Sequence, residues 1–128
     1  RRQYRATELL ECLPSRLPTR TLGIVAVDLY TPGLNFVFGQ ADPRRGVAVV
    51  SIWRLRARAG EPEALLVERA VKEAVHELGH AFGLRHCRQG DCVMQFSNSL
   101  AEADAKPARF CTRCQKELQR CLVTLTAR

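Results

Sequence analysis

Three stretches of this chain are apolar in the rhythm of a strand and three in the rhythm of a helix. Residues 3–13 set Leu9, Leu10 and Cys12 on one side and charges on the other, which predicts an amphipathic helix ended by Pro14, with Pro18 in the linker beyond it. Residues 21–30 are apolar almost throughout and rich in β-branched side chains (Ile24, Val25, Val27), the pattern of a central strand covered on both faces. Thr31-Pro32-Gly33 reads as a turn. Residues 35–40 then form a short strand with Phe36 and Phe38 on one face, stopping at Gly39 and suited to a sheet edge. A second turn over 42–46 leads into a β-branched strand, Val47 to Leu55. Residues 21–30 and 46–54 are expected to run parallel, with 35–40 antiparallel at the edge.

Gly60-Glu61-Pro62 opens a long helix, since Pro suits a first turn and Glu the positive end of the dipole. Val71, Val75, Leu78 and Phe82 recur at helical spacing and predict the stripe that packs on the sheet. After His86 the pattern loses its period: Gly90-Asp91, Ser97-Asn98-Ser99 and Pro107 are turn material. Helical spacing returns over 111–126, with Leu118, Leu122 and Leu125 on one side. The fold class is therefore α/β (α+β): a small mixed β-sheet with an antiparallel edge strand, a long helix and a C-terminal segment ending in a helix. Residues 1–128 read as a single domain, 1–86 its upper part and 87–128 its lower part.

All three histidines fall between residues 76 and 86. On a helix, His76 and His80 stand one turn apart on one face and can offer two imidazole nitrogens to one ion, with Glu77 beside them. That face lies at the margin of the apolar stripe, so the metal is expected in a cleft. A catalytic zinc takes three protein ligands and one water, whose pKa it lowers to about 7, and a neighbouring carboxylate can accept the proton. Position 86 would lie far above the ion if the helix continued. The chain must turn at Gly83, which enters the left-handed region without Cβ strain, and bring His86 back.

Composition narrows the rest. No run approaches the roughly 18 apolar residues of a membrane span, and the first residues, Arg1-Arg2-Gln3-Tyr4, contain no apolar signal region. The formal charge is +7, but the arginines are scattered without a basic helix or interleaved aromatics, so nucleic acid is an unlikely partner. Cys87-x4-Cys92 and Cys111-x2-Cys114 have the paired spacing of a four-thiolate zinc site, which is favoured over disulfides and suits a reducing compartment. Cys12 and Cys121 read as small buried apolar side chains.

The motif His76-Glu77-x-x-His80-x-x-Gly83-x-x-His86, followed by Met94, resembles the metzincin zinc peptidases and their Met-turn. The four cysteines after it resemble the archaemetzincin pattern, as do Val27 to Tyr30 and Leu34 to Ala41, so the likeness spans residues 22–114. Sixteen residues separate Met94 from Cys111, one fewer than in that pattern. The resemblance implies a zinc peptidase whose edge strand aligns the substrate and whose Met94 forms a hydrophobic floor beneath the metal.

The expected function is a zinc-dependent metallopeptidase that hydrolyses peptide bonds through a zinc-bound water activated by Glu77. His76, His80 and His86 are expected to hold the catalytic zinc, and Cys87, Cys92, Cys111 and Cys114 a structural one, giving two zinc ions per chain. The substrate would be a peptide or protein, and the enzyme a cytoplasmic monomer. A zinc-binding peptide-recognition or regulatory module with little or no turnover is the alternative, because no Tyr near Met94 and no fourth His offers itself as a second electrophile; arginines are the remaining option.

Overall fold

The computed structural model describes residues 2–126. Its six strands are β1 (Tyr4–Arg5), β2 (Thr21–Val25), β3 (Leu29–Thr31), β4 (Leu34–Val37), β5 (Gly39–Asp42) and β6 (Val47–Ser51); its helices are α1 (Ala6–Cys12), α2 (Ala64–Ala81), α3 (Leu100–Ala105) and α4 (Thr112–Thr126). The main sheet has the order β2-β6-β5, β2 and β6 parallel in the register Thr21↔Val47 to Val25↔Ser51, and β5 antiparallel to β6. A smaller sheet has the order β1-β3-β4.

The mixed sheet and its parallel pair match the reading of the pattern, but the central strand does not. β6, buried at all five positions, is central, while β2 forms an edge. The alternation of a strand covered on both faces explains why β6 is apolar from Val47 to Val50, with the buried Ser51 at its end hydrogen-bonded. Val47 and Val49 pack with Ala6, Leu10 and Leu29, beneath α1. Val50 points the other way, into Phe38, Leu55 and the α2 residues Leu66, Ala70 and Ala74.

The strands read over 21–30 and 35–40 are each split between the two sheets. Residues 21–30 break between β2 and β3, where side chains replace ladder bonds: Ser51 Oγ donates to Val27 O, and the buried Asp28 carboxylate accepts from Arg54 Nε (2.7 Å) and Nη2 (2.9 Å). A buried carboxylate is tolerated only when paired in this way. Residues 35–40 break at Phe38, which is buried where the chain leaves the small sheet for the main one; β5 then continues past Gly39 to Asp42.

The predicted packing stripe of α2 is also corrected. Val71 is 48% exposed, whereas Arg69, Glu73, His76, Glu77, Gly79 and Ala81 are buried. The reason is α3 and the residue after it, whose charges meet the polar face of α2. Arg69 Nε and Nη2 each reach Asp104 at 2.9 Å, Lys72 Nζ donates to Asp104 O, and Lys106 Nζ lies 3.3 Å from Glu73 Oε2. Two other burial readings are corrected as well. Cys12 is exposed and Leu122 is 42% exposed; the Leu125 side chain lies outside the described residues. Cys121 is half-buried, and its thiol donates to Phe82 O at the end of α2.

Candidate metal and catalytic site

The C-terminal turn of α2 assembles the site. Leu84 N–H donates to Gly79 O (2.9 Å) and Gly83 N–H to His80 O (2.8 Å), the paired bonds of a Schellman motif, with Gly83 at φ 101°. The left-handed residue the spacing called for is therefore present, and it folds His86 back over the helix. The ring centroids of His76 and His86 are 5.3 Å apart, and those of His80 and His86 4.7 Å.

Each helical imidazole is oriented by a carbonyl. His76 Nδ1 bonds Val93 O and His80 Nδ1 bonds Leu84 O, both at 2.7 Å, which fixes the proton on Nδ1 and leaves both Nε2 lone pairs for a metal. The two Nε2 atoms are 3.1 Å apart, against about 3.3 Å for nitrogens about 2.05 Å from one tetrahedral zinc. Burial holds His76 down at about 3, helped by the positive charge of Lys106, and burial lowers His80 and His86 as well. Ligating imidazoles must be neutral, and burial favours that form at all three.

Glu77 is buried at the same turn, and burial first, then the nearby Glu73, push its carboxyl up to about 8. A dication at the three imidazoles would favour its ionised form. Two glycines make room around this group. A Cβ on Gly39 would meet Glu77 Cγ at 2.8 Å and Val49 O at 2.5 Å, so the close approach of β5 to Glu77 requires glycine there. A Cβ on Gly79 would meet Met94 Sδ at 2.5 Å, so Met94, fully buried, lies directly against the turn that carries both helical histidines. That is the position expected of a hydrophobic floor.

A cleft of about 480 Å³ opens above these residues. Residues 33–41, including the edge strand β5, form one wall, with the histidines and Glu77 at the base and Phe96, Ser97, Asn98 and Lys106 opposite. Phe96, half exposed, stands edge-on to His86 with centroids 5.4 Å apart. Glu73, Phe96 and Lys106 were not foreseen. Lys106 and Glu73 are joined across 33 residues, a separation that no periodicity reports. α3 was missed too, although Ser99-x-x-Glu102 is a capping-box pattern: Ser99 Oγ accepts from Glu102 N–H, and Glu102 Oε1 from Asn98 N–H.

The four cysteines converge behind the floor. Their sulfurs lie within 4.8 Å of one another, and Cys87 Sγ is 3.8 Å from Cys111 Sγ, the spacing of about 3.8 Å expected for thiolates about 2.3 Å from one zinc. Backbone N–H groups of Met94 and Cys111 donate to Cys92 Sγ, and that of Cys114 to Cys111 Sγ, which pulls the Cys111 thiol down to about 7. Burial raises Cys92 and Cys114 instead. Such a set ionises fully only around a cation.

The model of peptidase family M54 matches residues 13–120. The chain belongs to the archaemetzincins, peptidase family M54. It is 52% identical over 122 residues to the archaemetzincin of Methanopyrus kandleri, covering 94% of this chain and 68% of that protein. The archaemetzincin of Archaeoglobus fulgidus is 47% identical over 120 residues, covering 93% and 71%. The solved M. kandleri structure superposes with a TM-score of 0.84 (51% identity, 94% of this chain, 67% of that one), and the A. fulgidus structure, complexed with malonate, with 0.81 (46%, 91%, 70%). The chain thus spans about two thirds of the length of these relatives. Membership makes it a zinc metallopeptidase by class, acting on peptides or proteins. Among the described residues no helix is long and apolar enough to cross a membrane.

Proposed function

We propose that this chain hydrolyses peptide bonds at the three-histidine cleft, with zinc held by the Nε2 atoms of His76 and His80 and a ring nitrogen of His86. Bound there, zinc supplies Lewis acidity that polarises the scissile carbonyl and acidifies the attacking water. Glu77 accepts the water's proton and delivers it to the leaving amine, a role that needs a carboxylate close to the reacting atoms and shielded from bulk solvent. β5 receives an extended substrate by backbone hydrogen bonding along its unpaired edge, and this aligns the scissile bond over Glu77. His76 and His80 keep their nitrogens aimed through the carbonyls of Val93 and Leu84.

The observation that carries the reading is the convergence of three neutral imidazoles and one buried carboxylate at the base of a cleft whose wall is a sheet edge. A second zinc belongs to Cys87, Cys92, Cys111 and Cys114, where it ties residues 87–128 to residues 1–86 as two parts of one domain. We read the enzyme as a monomer, in a reducing, cytoplasmic compartment that the free thiols of Cys87, Cys92, Cys111 and Cys114 favour. The test is digestion of a peptide library by the zinc-loaded protein, analysed by mass spectrometry beside the Glu77→Gln variant. New termini produced by the parent and absent with Glu77→Gln are expected. A parent that binds peptides and cuts none is a recognition module, contrary to this proposal.

A further inference from the structure

Resting on the peptidase reading, we propose that Lys106 is the electrophile of the cleft: its ammonium faces the carbonyl oxygen that becomes negative as water adds. Among the described residues, Lys106 is the one cationic side chain lining the cleft, and it is 2% exposed. It lines the same cleft as His76, Glu77, His80 and His86, and its Nζ lies 3.3 Å from Oε2 of Glu73, which stands one turn before His76 and Glu77 on α2.

The surroundings of Lys106 suit a working cation better than a structural one. A buried Lys–Glu pair is no firmer than well-packed apolar residues of the same volume, so stability alone does not call for it. Lys106 Nζ stands 3.3 and 3.5 Å from the Glu73 oxygens and 3.2 Å from Gln95 O, all longer than the ~2.7–2.9 Å of a closed charge-assisted bond. Glu73 and the Gln95 carbonyl therefore hold the ammonium in place through long contacts. Its position also works against zinc, because a cation beside three ligating imidazoles repels a dication. A group that hinders metal binding and yet lines the cleft is explained by charge that develops only during reaction. Fixed donors aimed at such charge contribute about 10²–10³-fold in rate.

Binding measurements test this without turnover. In zinc-loaded Glu77→Gln protein, which leaves an intact peptide uncut, the affinities of a peptide and of its phosphinate analogue are compared with and without Lys106→Met. The phosphinate carries the tetrahedral negative charge that the peptide lacks. Lys106→Met is expected to weaken the phosphinate by about 10²-fold and the peptide by about threefold or less, with zinc bound at least as tightly as before. A structural role would lower all three together. Should the single variant fail to fold, Glu73→Gln with Lys106→Met removes both charges and is read in the same way. Equal loss on peptide and phosphinate, loss on neither, or loss confined to peptides bearing a carboxylate overturns the proposal. If the Lys106 protein binds neither compound, the peptidase reading falls as well.

Discussion

In the region before His86, β6 buries five apolar or small side chains between α1 on one side and α2 on the other, and the chain is ordered by that layer packing. In the region after it, three of the six buried members of the cluster are cysteines (Cys87, Cys92, Cys114), packed with Leu84, Val93 and Met94. The two metal-ligand sets follow the same division. The histidine set is open to solvent at His86, while the cysteine set is buried at three of four positions. A closed shell of thiolates is coupled to folding, whereas an open set of neutral nitrogens leaves a coordination position for chemistry. On the proposed function, the fold separates a zinc that holds the chain together from a zinc that acts on substrate, and Met94 and Val93 connect the two ligand sets. Val93 O orients His76, and Cys87 N–H donates to Met94 O.

Breaking the cysteine side has the largest expected effect on structure. Cys111→Ser removes one thiolate and two sulfur contacts, and because structural zinc contributes on the order of 10 kcal/mol in small domains, residues after 86 should lose their protection in amide hydrogen exchange. Exchange rates of β6 should change far less. Unaltered protection after residue 86 would show that the apolar cluster alone orders that region.

On the histidine side, Glu77→Gln should leave the melt and zinc content of the parent while lowering kcat by about 10²–10⁴-fold, since Gln is close to isosteric and accepts no proton. Gly83→Val is gentler. At φ 101° a β-branched residue is strained by about 1–3 kcal/mol, so zinc affinity at the histidine site should fall by about tenfold or more while the cysteine site keeps its ion. Calorimetric zinc titration of the chelator-stripped histidine site reads this directly. The smallest change is Gly79→Ala, whose new Cβ presses on Met94 Sδ, with an expected cost of about 1–3 kcal/mol in unfolding free energy and a small shift in zinc affinity. A stability equal to that of the parent would mean that the floor beneath the histidines gives way freely.

The convergence of the three histidines and of the four cysteines was legible because metal coordination ties residue type to spacing. His76, His80, Gly83 and His86 admit few geometries once one ion must meet three nitrogens, and the Schellman turn at Gly83 follows. The parallel pair of β2 and β6 was legible from its β-branched runs. The buried face of α2 was not. Periodicity assigns apolar residues to the inside, but here Arg69 and Glu73 are inside because Asp104 and Lys106 arrive from a distant segment to neutralise them, leaving Val71 in solvent. Long-range charge pairing has no local signature. The same blindness hid Lys106, which a reading limited to Tyr, His and Arg passed over as the missing electrophile.

The division of labour between the two sites is tested most directly by stepwise chelation of the purified protein, with zinc content, peptide hydrolysis and thermal melting measured on the same samples. Removal of the first equivalent of zinc should abolish hydrolysis and leave the cooperative melt in place, with the remaining equivalent lost only as the region after residue 86 unfolds. Hydrolysis that persists after the first equivalent is gone, or a melt that collapses with it, would contradict the account.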